Sequence, residues 1–252
     1  MGRLLRLDKV LVDRGLAASR QRARALIEEG VVLVDGVPAK KVAAQIRPEQ
    51  NVHLAKPDFP WVGRGALKLI GALDGFDVCP KGRVAADLGA STGGFTEVLL
   101  DRGADRVYAI DVGRGQLAWR LRTDPRVVNM EGTNVRHLEG LPEPASLIVG
   151  DLSFISLRLI LPAVARLAAP NAEAVLLVKP QFEVGRSSVA SGGRVSSPEA
   201  REQAIARVRE DAVSQGFEVL GSKDCVLPGA KAGNVEHFLH LRLNPRREDL
   251  SI

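Results

Sequence analysis

Val84-Ala-Ala-Asp-Leu-Gly-Ala-Ser-Thr-Gly-Gly-Phe95 reads as a buried strand running into a glycine turn and then into a helix. The apolar start Val84-Ala-Ala suits a strand covered on both sides, and Gly89, Gly93 and Gly94 let backbone approach a ligand closely. A second strand ends at Asp111, 22 residues beyond Gly89, where a carboxylate can accept from ribose hydroxyls. A pyrophosphate binder would show Gly-x-Gly-x-x-Gly at this place. This chain has Asp87-x-Gly89-x-x-x-Gly93, whose strand-end acid suits a ligand with an amino or cationic group. S-adenosyl-L-methionine is such a ligand; a dinucleotide is not. Ordinary strand-to-helix turns carry similar glycines, so the stretch alone leaves several nucleotide ligands open.

Outward from this turn the chain alternates strand and helix. Strands are expected at 83–88, 106–112, 126–131, 146–151, 173–179, 217–223 and 236–243, and helices at 65–74, 93–103, 115–122, 156–168 and 198–215. Such alternation predicts an α/β fold with a mostly parallel, seven-stranded sheet covered on both faces. Ser197-Pro198-Glu199 starts the last helix with an N-cap, a first-turn proline and an acid favoured by the helix dipole. The Gly/Ser-rich segment 185–196 before it is a candidate lid. Ligands of such a sheet sit beyond the carboxyl ends of its strands, which here carry Asp87, Asp111, Asp151 and Lys179. Asp151 and Lys179 end two strongly apolar strands, and paired charges in that position favour function over simple emergence into water.

The 252 residues, 45% hydrophobic and 26% charged, suit one medium globular domain and a small one. No apolar run approaches the roughly 18 residues of a membrane helix, and no secretory signal is visible. Cys79 and Cys225 are far apart, which suits a reducing cytoplasm, and His53, His137, His237 and His240 show no metal spacing. The net charge of +5 is localised. Residues 1–66 hold twelve basic and seven acidic side chains, so the remainder is neutral and the excess belongs to one module. A basic module on a neutral partner predicts a polyanion substrate.

That module begins with a helix carrying Leu7, Val10 and Leu11 and stopping near Gly15. A second helix follows with Ser19 as N-cap, Ala23, Leu26 and Ile27 as apolar face, and Gly30 as its end. Arg20 and Arg24 fall side by side on it. Asp35-Gly36 turns a hairpin, and a further strand lies near Val52. The boundary falls in the proline-bearing connector, giving a domain at 1–58, a linker at 59–64 and a second domain at 65–252.

Arg6-Leu-Asp-Lys-Val-Leu-Val-Asp-Arg-Gly and Gly30-Val-Val-Leu-Val-Asp-Gly-Val resemble the small RNA-binding module shared by a small-subunit ribosomal protein and pseudouridine synthases. Arg64-Gly-x-x-Lys68-Leu, the stretch Asp87 to Thr96, Asp151-Leu-Ser-Phe-Ile-Ser-Leu, Val178-Lys-Pro-Gln-Phe-Glu-Val-Gly and Gly233-Asn-Val-Glu, in this order, resemble the TlyA family. Its members are RNA 2′-O-methyltransferases with an FtsJ-like domain behind such a module, and many carry the name haemolysin. The resemblance implies a Rossmann-like class I methyltransferase acting on a cytidine ribose in ribosomal RNA. It maps the family's catalytic tetrad onto Lys68, Asp151, Lys179 and Glu236. It also implies S-adenosylmethionine contacts from Asp87, Gly89, Ser91, Gly93, Gly94, Phe95, Asp111, Asn134 and Val135. RNA contacts fall on Arg6, Arg20, Arg24, Lys40, Lys41 and Arg64, with ribosomal RNA or a ribosomal subunit as partner and no membrane. The chain departs from its relatives at Phe59-Pro-Trp-Val62, where they carry Arg-x-Trp-Val, so any coupling through that arginine is in doubt. Its short tail after residue 243 leaves the choice of ribosomal subunit open.

Methyl transfer from a sulfonium to a ribose hydroxyl needs the oxygen in line with the methyl carbon and removal of a proton from a weakly acidic alcohol. A lysine can serve as the general base or as the cation that steadies the forming alkoxide, with Asp151 and Glu236 orienting the lysines. No Asn-Pro-Pro-Tyr motif or comparable aromatic clamp points to methylation of a base amino group. Two other classes are weighed: a membrane-lytic protein, which would need an insertion segment, and a non-catalytic ribosome-assembly factor.

Overall fold

The structure is a computed structural model and describes residues 4–17, 19–55, 61–185, 189–190, 192–195, 197–229 and 233–244. The chain divides into two compact units, Met1–Pro60 and Trp61–Ile252.

In the first unit, β1 (Leu5–Arg6), α1 (Leu7–Asp13), α2 (Arg20–Glu28), β2 (Val32–Val34), β3 (Val37–Pro38), β4 (Gln45–Ile46) and β5 (Val52–Leu54) follow one another. Ser19 caps α2 by accepting from the Arg22 amide at 3.1 Å, which satisfies one of the donors a helix start leaves free. Asp35 and Gly36 both take positive φ, the backbone a two-residue hairpin turn requires, and join β2 to β3. Strands β3, β2 and β5 form an antiparallel sheet. Leu7, Val10 and Leu11 of α1 and Ala23, Leu26 and Ile27 of α2 meet Val32, Ile46 and Val52 in its core. The pairing of β1 with β4 was not expected, because strands of two residues carry no readable period.

The second unit contains α3 (Gly65–Phe76), β6 (Val84–Leu88), α4 (Gly94–Asp101), β7 (Arg106–Asp111), α5 (Trp119–Arg122), β8 (Val127–Glu131), β9 (Ala145–Gly150), α6 (Leu161–Leu167), β10 (Ala168–Val178), α7 (Pro180–Glu183), α8 (Pro198–Ser214), β11 (Phe217–Asp224) and β12 (His237–Leu243). Its seven-stranded sheet has the order β11-β12-β10-β9-β6-β7-β8, parallel from β10 to β8, with β12 antiparallel to both neighbours. Alternate residues of each strand point to opposite faces. Ala86, Leu88, Tyr108, Ile148 and Leu176 therefore pack against α6 and α8, while Ala85, Val107, Leu147, Val149 and Leu177 pack against α3 and α4. The order of strands reverses between β6 and β9, the position at which open α/β sheets leave a crevice at their carboxyl ends.

Three expected elements differ. The helix expected at 115–122 is only α5, because the Gln116 and Leu117 amides donate to Glu131 Oε1 instead of entering a helical turn. The helix expected at 156–168 starts at Leu161, after a 3-10 turn at Leu157–Leu159. The strand expected to end at Lys179 ends at Val178, and Lys179 instead caps α7. Of the candidate lid, residues 186–188, 191 and 196 lie outside the described residues, as do Lys56, Phe59 and Pro60 of the connector and the tail 245–252. Among the described residues no helix is long and apolar enough to cross a membrane.

Candidate active site

The ends of β9 and β10, the first turn of α3 and the approach to β12 bring four charged side chains into contact. Lys68 Nζ lies 2.6 Å from Glu236 Oε2 and 3.3 Å from Asp151 Oδ2, and Lys179 Nζ lies 2.6 Å from Asp151 Oδ1. Asp151 thus stands between the two lysines and bridges them. Lys179 also donates to Ser153 Oγ at 2.6 Å. Glu236 is 3% exposed and Lys179 8%. Two cations and two anions leave the cluster neutral. Burial works against the charge on Lys68, but Asp151 and Glu236 outweigh it and hold its pKa above the ordinary lysine value. Lys68 is therefore a fixed cation. Buried ion pairs contribute little net stability because desolvation offsets their attraction, so the placement of four such groups around one cavity is not explained by folding.

Two cavities open at this edge. The first, about 340 Å³, is bounded by Gly89, Ser91, Asp111, Gln116, Thr133 and Val135 and by the segment Asp151–Phe154. The second, about 440 Å³, is bounded by all four members of the cluster together with Phe182 and Asn234. Asp151, Ser153 and Phe154 belong to both walls. Gly89 makes this junction possible. Its φ is +84°, and a Cβ there would lie 3.1 Å from the Asp151 carbonyl oxygen, so the turn after β6 can run beneath the Asp151 backbone only without a side chain.

The expected cofactor residues separate by position. Gly89, Ser91, Asp111 and Val135 line the first cavity, and Asn134 caps the short turn that presents Val135. Asp111 accepts from the Ser91 amide at 2.8 Å and the Gly113 amide at 2.7 Å, which leaves acceptor capacity on both oxygens. Phe95 was expected at the cofactor but is 3% exposed and stacks on Phe238 in the core, because its position on α4 turns it toward the sheet. Gly94 serves packing: a Cβ there would meet the Ala66 amide at 3.1 Å and the Gly63 carbonyl at 3.2 Å, where α3 and α4 approach. Asp87 lies wholly buried behind the turn. Its Oδ2 accepts from Thr96 Oγ1 at 2.7 Å, and its Oδ1 has no hydrogen-bond partner.

Burial pushes the Asp87 carboxyl up to about 7, against the opposing pull of Thr96. Between its ordinary value and pH 7 the folded chain therefore binds a proton that the unfolded chain has lost, and stability falls as pH rises through that window. Asp87→Asn is expected to flatten this dependence by on the order of 2 kcal/mol between pH 5 and pH 8. Urea midpoints across that range test it, and parallel curves for both proteins would contradict it.

In the first unit, Arg6 and Arg20 converge on Asp8, at 3.0 and 2.7 Å, and Arg24 pairs with Glu28 at 2.8 Å. Arg6, Arg20 and Arg24, three of the expected RNA-contacting arginines, are thus ion-paired within the unit. Arg20 and Arg24 remain exposed, as do Lys40 and Lys41 in the first unit and Arg64 at the start of α3. The hydrogen bond from Arg6 leads the effects that hold the Asp8 carboxyl down at about 2. Sequence spacing did not reveal Asp8 as their anchor, nor Ser153, Phe154 and Gln116 as wall residues.

A seven-stranded, mostly parallel sheet with a glycine turn and a charged cluster at its carboxyl edge defines a Rossmann-like methyltransferase. Residues 61–243 match the FtsJ-like methyltransferase family, and residues 5–52 match the S4 domain. The chain is 50% identical over 250 residues to the 16S/23S rRNA (cytidine-2′-O)-methyltransferase TlyA of Mycobacterium tuberculosis, covering 98% of this chain and 93% of the relative. Hemolysin A of Brachyspira hyodysenteriae is 35% identical, covering 94% and 99% respectively. A solved structure from Streptococcus thermophilus that bears a hemolysin name superposes with a TM-score of 0.73 at 37% identity, over 97% of this chain and 90% of that one. The chain belongs to the TlyA family.

Proposed function

We propose that this chain transfers a methyl group from S-adenosylmethionine to the 2′-hydroxyl of a cytidine in ribosomal RNA. The carrying observation is the shared wall: Asp151, Ser153 and Phe154 border both the cavity behind the glycine turn and the cavity holding the lysines. A donor and an acceptor bound in two cavities with a common wall meet there. The name of the M. tuberculosis relative supports the substrate class.

The first cavity fits the proposed cofactor. Asp111 has free acceptor capacity for ribose hydroxyls, and Ile110, Val135 and Leu152 offer an apolar wall for the base. Bound there, S-adenosylmethionine would supply a methyl group already activated by its sulfonium. The chain's own residues then have to fix the acceptor oxygen. Lys179 Nζ, held by Asp151 and Ser153, faces the second cavity. Both proton removal from the hydroxyl and stabilisation of the negative charge forming on it require this nitrogen one hydrogen bond from the oxygen. Lys68 keeps Asp151 and Glu236 in place.

Phe154 supports an unstacked nucleotide as the acceptor. It is 81% exposed, its φ is +64°, and its ring lies 5.5 Å from that of Phe182. Bulky residues in this backbone region are strained, and such strain gathers at ligand clamps. Base stacking on an aromatic ring is worth about 1–3 kcal/mol, so Phe154→Ala is expected to raise the KM for RNA roughly 5- to 150-fold. Steady-state kinetics at saturating cofactor check this, and an unchanged KM would remove Phe154 from substrate binding. The activity itself is tested by labelled methyl transfer to ribosomal RNA followed by nucleoside identification. A base-methylated product would overturn the proposal, and RNA binding without transfer would favour an assembly factor.

A further inference from the structure

Glu183 ends α7, the short helix that starts immediately after Lys179, and it lines neither cavity. Its carboxylate reaches the loop that carries Asp151. Oε2 accepts from Ser156 Oγ at 2.6 Å, and Oε1 accepts from the Leu157 amide at 2.6 Å. Two struts therefore join the same two segments. Inside the cavity Lys179 is ion-paired with Asp151 and donates to Ser153; behind it Glu183 accepts from Ser156 and Leu157. The loop between them has no regular secondary structure and contains the strained Phe154. A strained backbone persists only where its surroundings over-determine it, and a lysine on a flexible four-carbon stem is a weak constraint. Glu183 is a short, 9% exposed carboxylate with both oxygens engaged, which is a strong one.

Taking the methyl-transfer activity above as given, we propose that Glu183 is a positioning residue for that reaction. Through Ser156 and the Leu157 amide it sets the separation between Lys179 and the Asp151–Ser153–Phe154 wall. It touches neither substrate nor cofactor, and it acts on the rate by fixing the loop that does. The buried Leu157 amide needs an acceptor here, and the carboxylate meets it together with the Ser156 hydroxyl. Burial pushes the Glu183 carboxyl up, Ser156 and Leu157 pull it down, and the nearby Arg158 and Asp211 are paired with each other at 2.5 Å. An apolar side chain here would leave the buried Leu157 amide without a partner, so the carboxyl is kept against the cost of its own burial.

The test uses the full-length protein with ribosomal RNA as acceptor and S-adenosylhomocysteine as the binding probe. A misplacement of about 1 Å at a reacting centre costs up to about 100-fold, so Glu183→Ala is expected to lower kcat roughly 10- to 100-fold. The affinity for S-adenosylhomocysteine should stay within about threefold, since Gly89, Ser91, Asp111 and Val135 of the first cavity lie outside this loop, and the KM for RNA should rise by less than kcat falls. Glu183→Gln should recover most of kcat, because its amide oxygen still accepts from Leu157 and its NH2 can donate to Ser156 Oγ. Ser156→Ala should lose less, and its combination with Glu183→Ala should be no worse than Glu183→Ala alone within about twofold, as residues on one path are non-additive. Should Glu183→Ala fail to fold, Glu183→Gln and Ser156→Ala carry the same contrast. Wild-type transfer with an unchanged kcat in Glu183→Ala would overturn the inference alone. So would loss of S-adenosylhomocysteine binding in step with activity, or multiplicative effects in the double variant. Absence of transfer by the wild-type chain would instead overturn the proposed activity, and this inference with it.

Discussion

Lys179→Ala is expected to lower kcat for methyl transfer about 10²- to 10⁴-fold, the range over which a positioned proton acceptor or charge stabiliser acts. Cofactor affinity should survive. Lys179 borders the cavity of the charged cluster and not the cavity behind the glycine turn, so its removal leaves the walls around Asp111 and Val135 intact. Asp151 is not stranded by the change, because Lys68 still lies 3.3 Å from it. Fold and loop should therefore hold, and the loss should appear in the chemical step. Lys179→Arg separates the two roles of the nitrogen. An arginine keeps the positive charge but cannot give up its proton in a protein, so a general base would be lost with it and an electrostatic stabiliser partly kept. Single-turnover rates with pre-bound S-adenosylmethionine measure this directly, alongside equilibrium binding of S-adenosylhomocysteine. Normal turnover in Lys179→Ala would remove the residue from the mechanism.

The alternation of strand and helix was legible because its signal is local. Val84–Leu88 and Arg106–Asp111 are short apolar runs bounded by glycine or charge, and both fall within about one residue of their expected limits, whereas β10 starts at Ala168 and not at the expected 173. Where a distant side chain takes over local hydrogen bonding, legibility fails. Glu131 captures the amides at 116 and 117 and shortens α5, and Glu183 captures the amide at 157 and delays α6. The site shows the same division. Asp151 and Lys179 stand out as charges closing apolar strands, whereas Lys68 and Glu236, 168 residues apart, meet only through the fold and came from family resemblance. Ser153, Phe154 and Glu183 have no periodicity, charge run or spacing to single them out. Their roles depend on which loop faces which cavity.

The charge of the first unit was legible in total but not in detail. Asp8 gathers Arg6 and Arg20, so part of the basic excess is spent within the unit on holding guanidinium groups in fixed orientation. A guanidinium with five donors can pair with one carboxylate and still offer others, and Arg20 is 62% exposed at its side chain. The arginines around Asp8 are thus held with donors to spare, and Lys40 and Lys41 add exposed point charges.

Removing residues 1–60 is consequently expected to abolish methylation of ribosomal RNA at working concentrations while leaving cofactor binding within about threefold. The chain divides at Pro60, and among the described residues every one that lines either cavity lies beyond it. The remaining unit has balanced charge from residue 67 onward and so lacks the long-range attraction that gathers a polyanion. Each lost phosphate contact flattens the plot of log affinity against log salt by about 0.7–0.9. Reversing two exposed charges in the intact chain, Lys40→Glu with Lys41→Glu, should therefore reduce the slope by roughly 1.4–1.8 if both meet phosphate. It should leave single-turnover rates at saturating RNA unaltered, because neither lysine belongs to the catalytic unit. Filter binding across a salt series gives both slopes. RNA affinity at low salt that is the same with and without residues 1–60 would sink the role of the first unit and move RNA recognition onto the unit that holds Lys179.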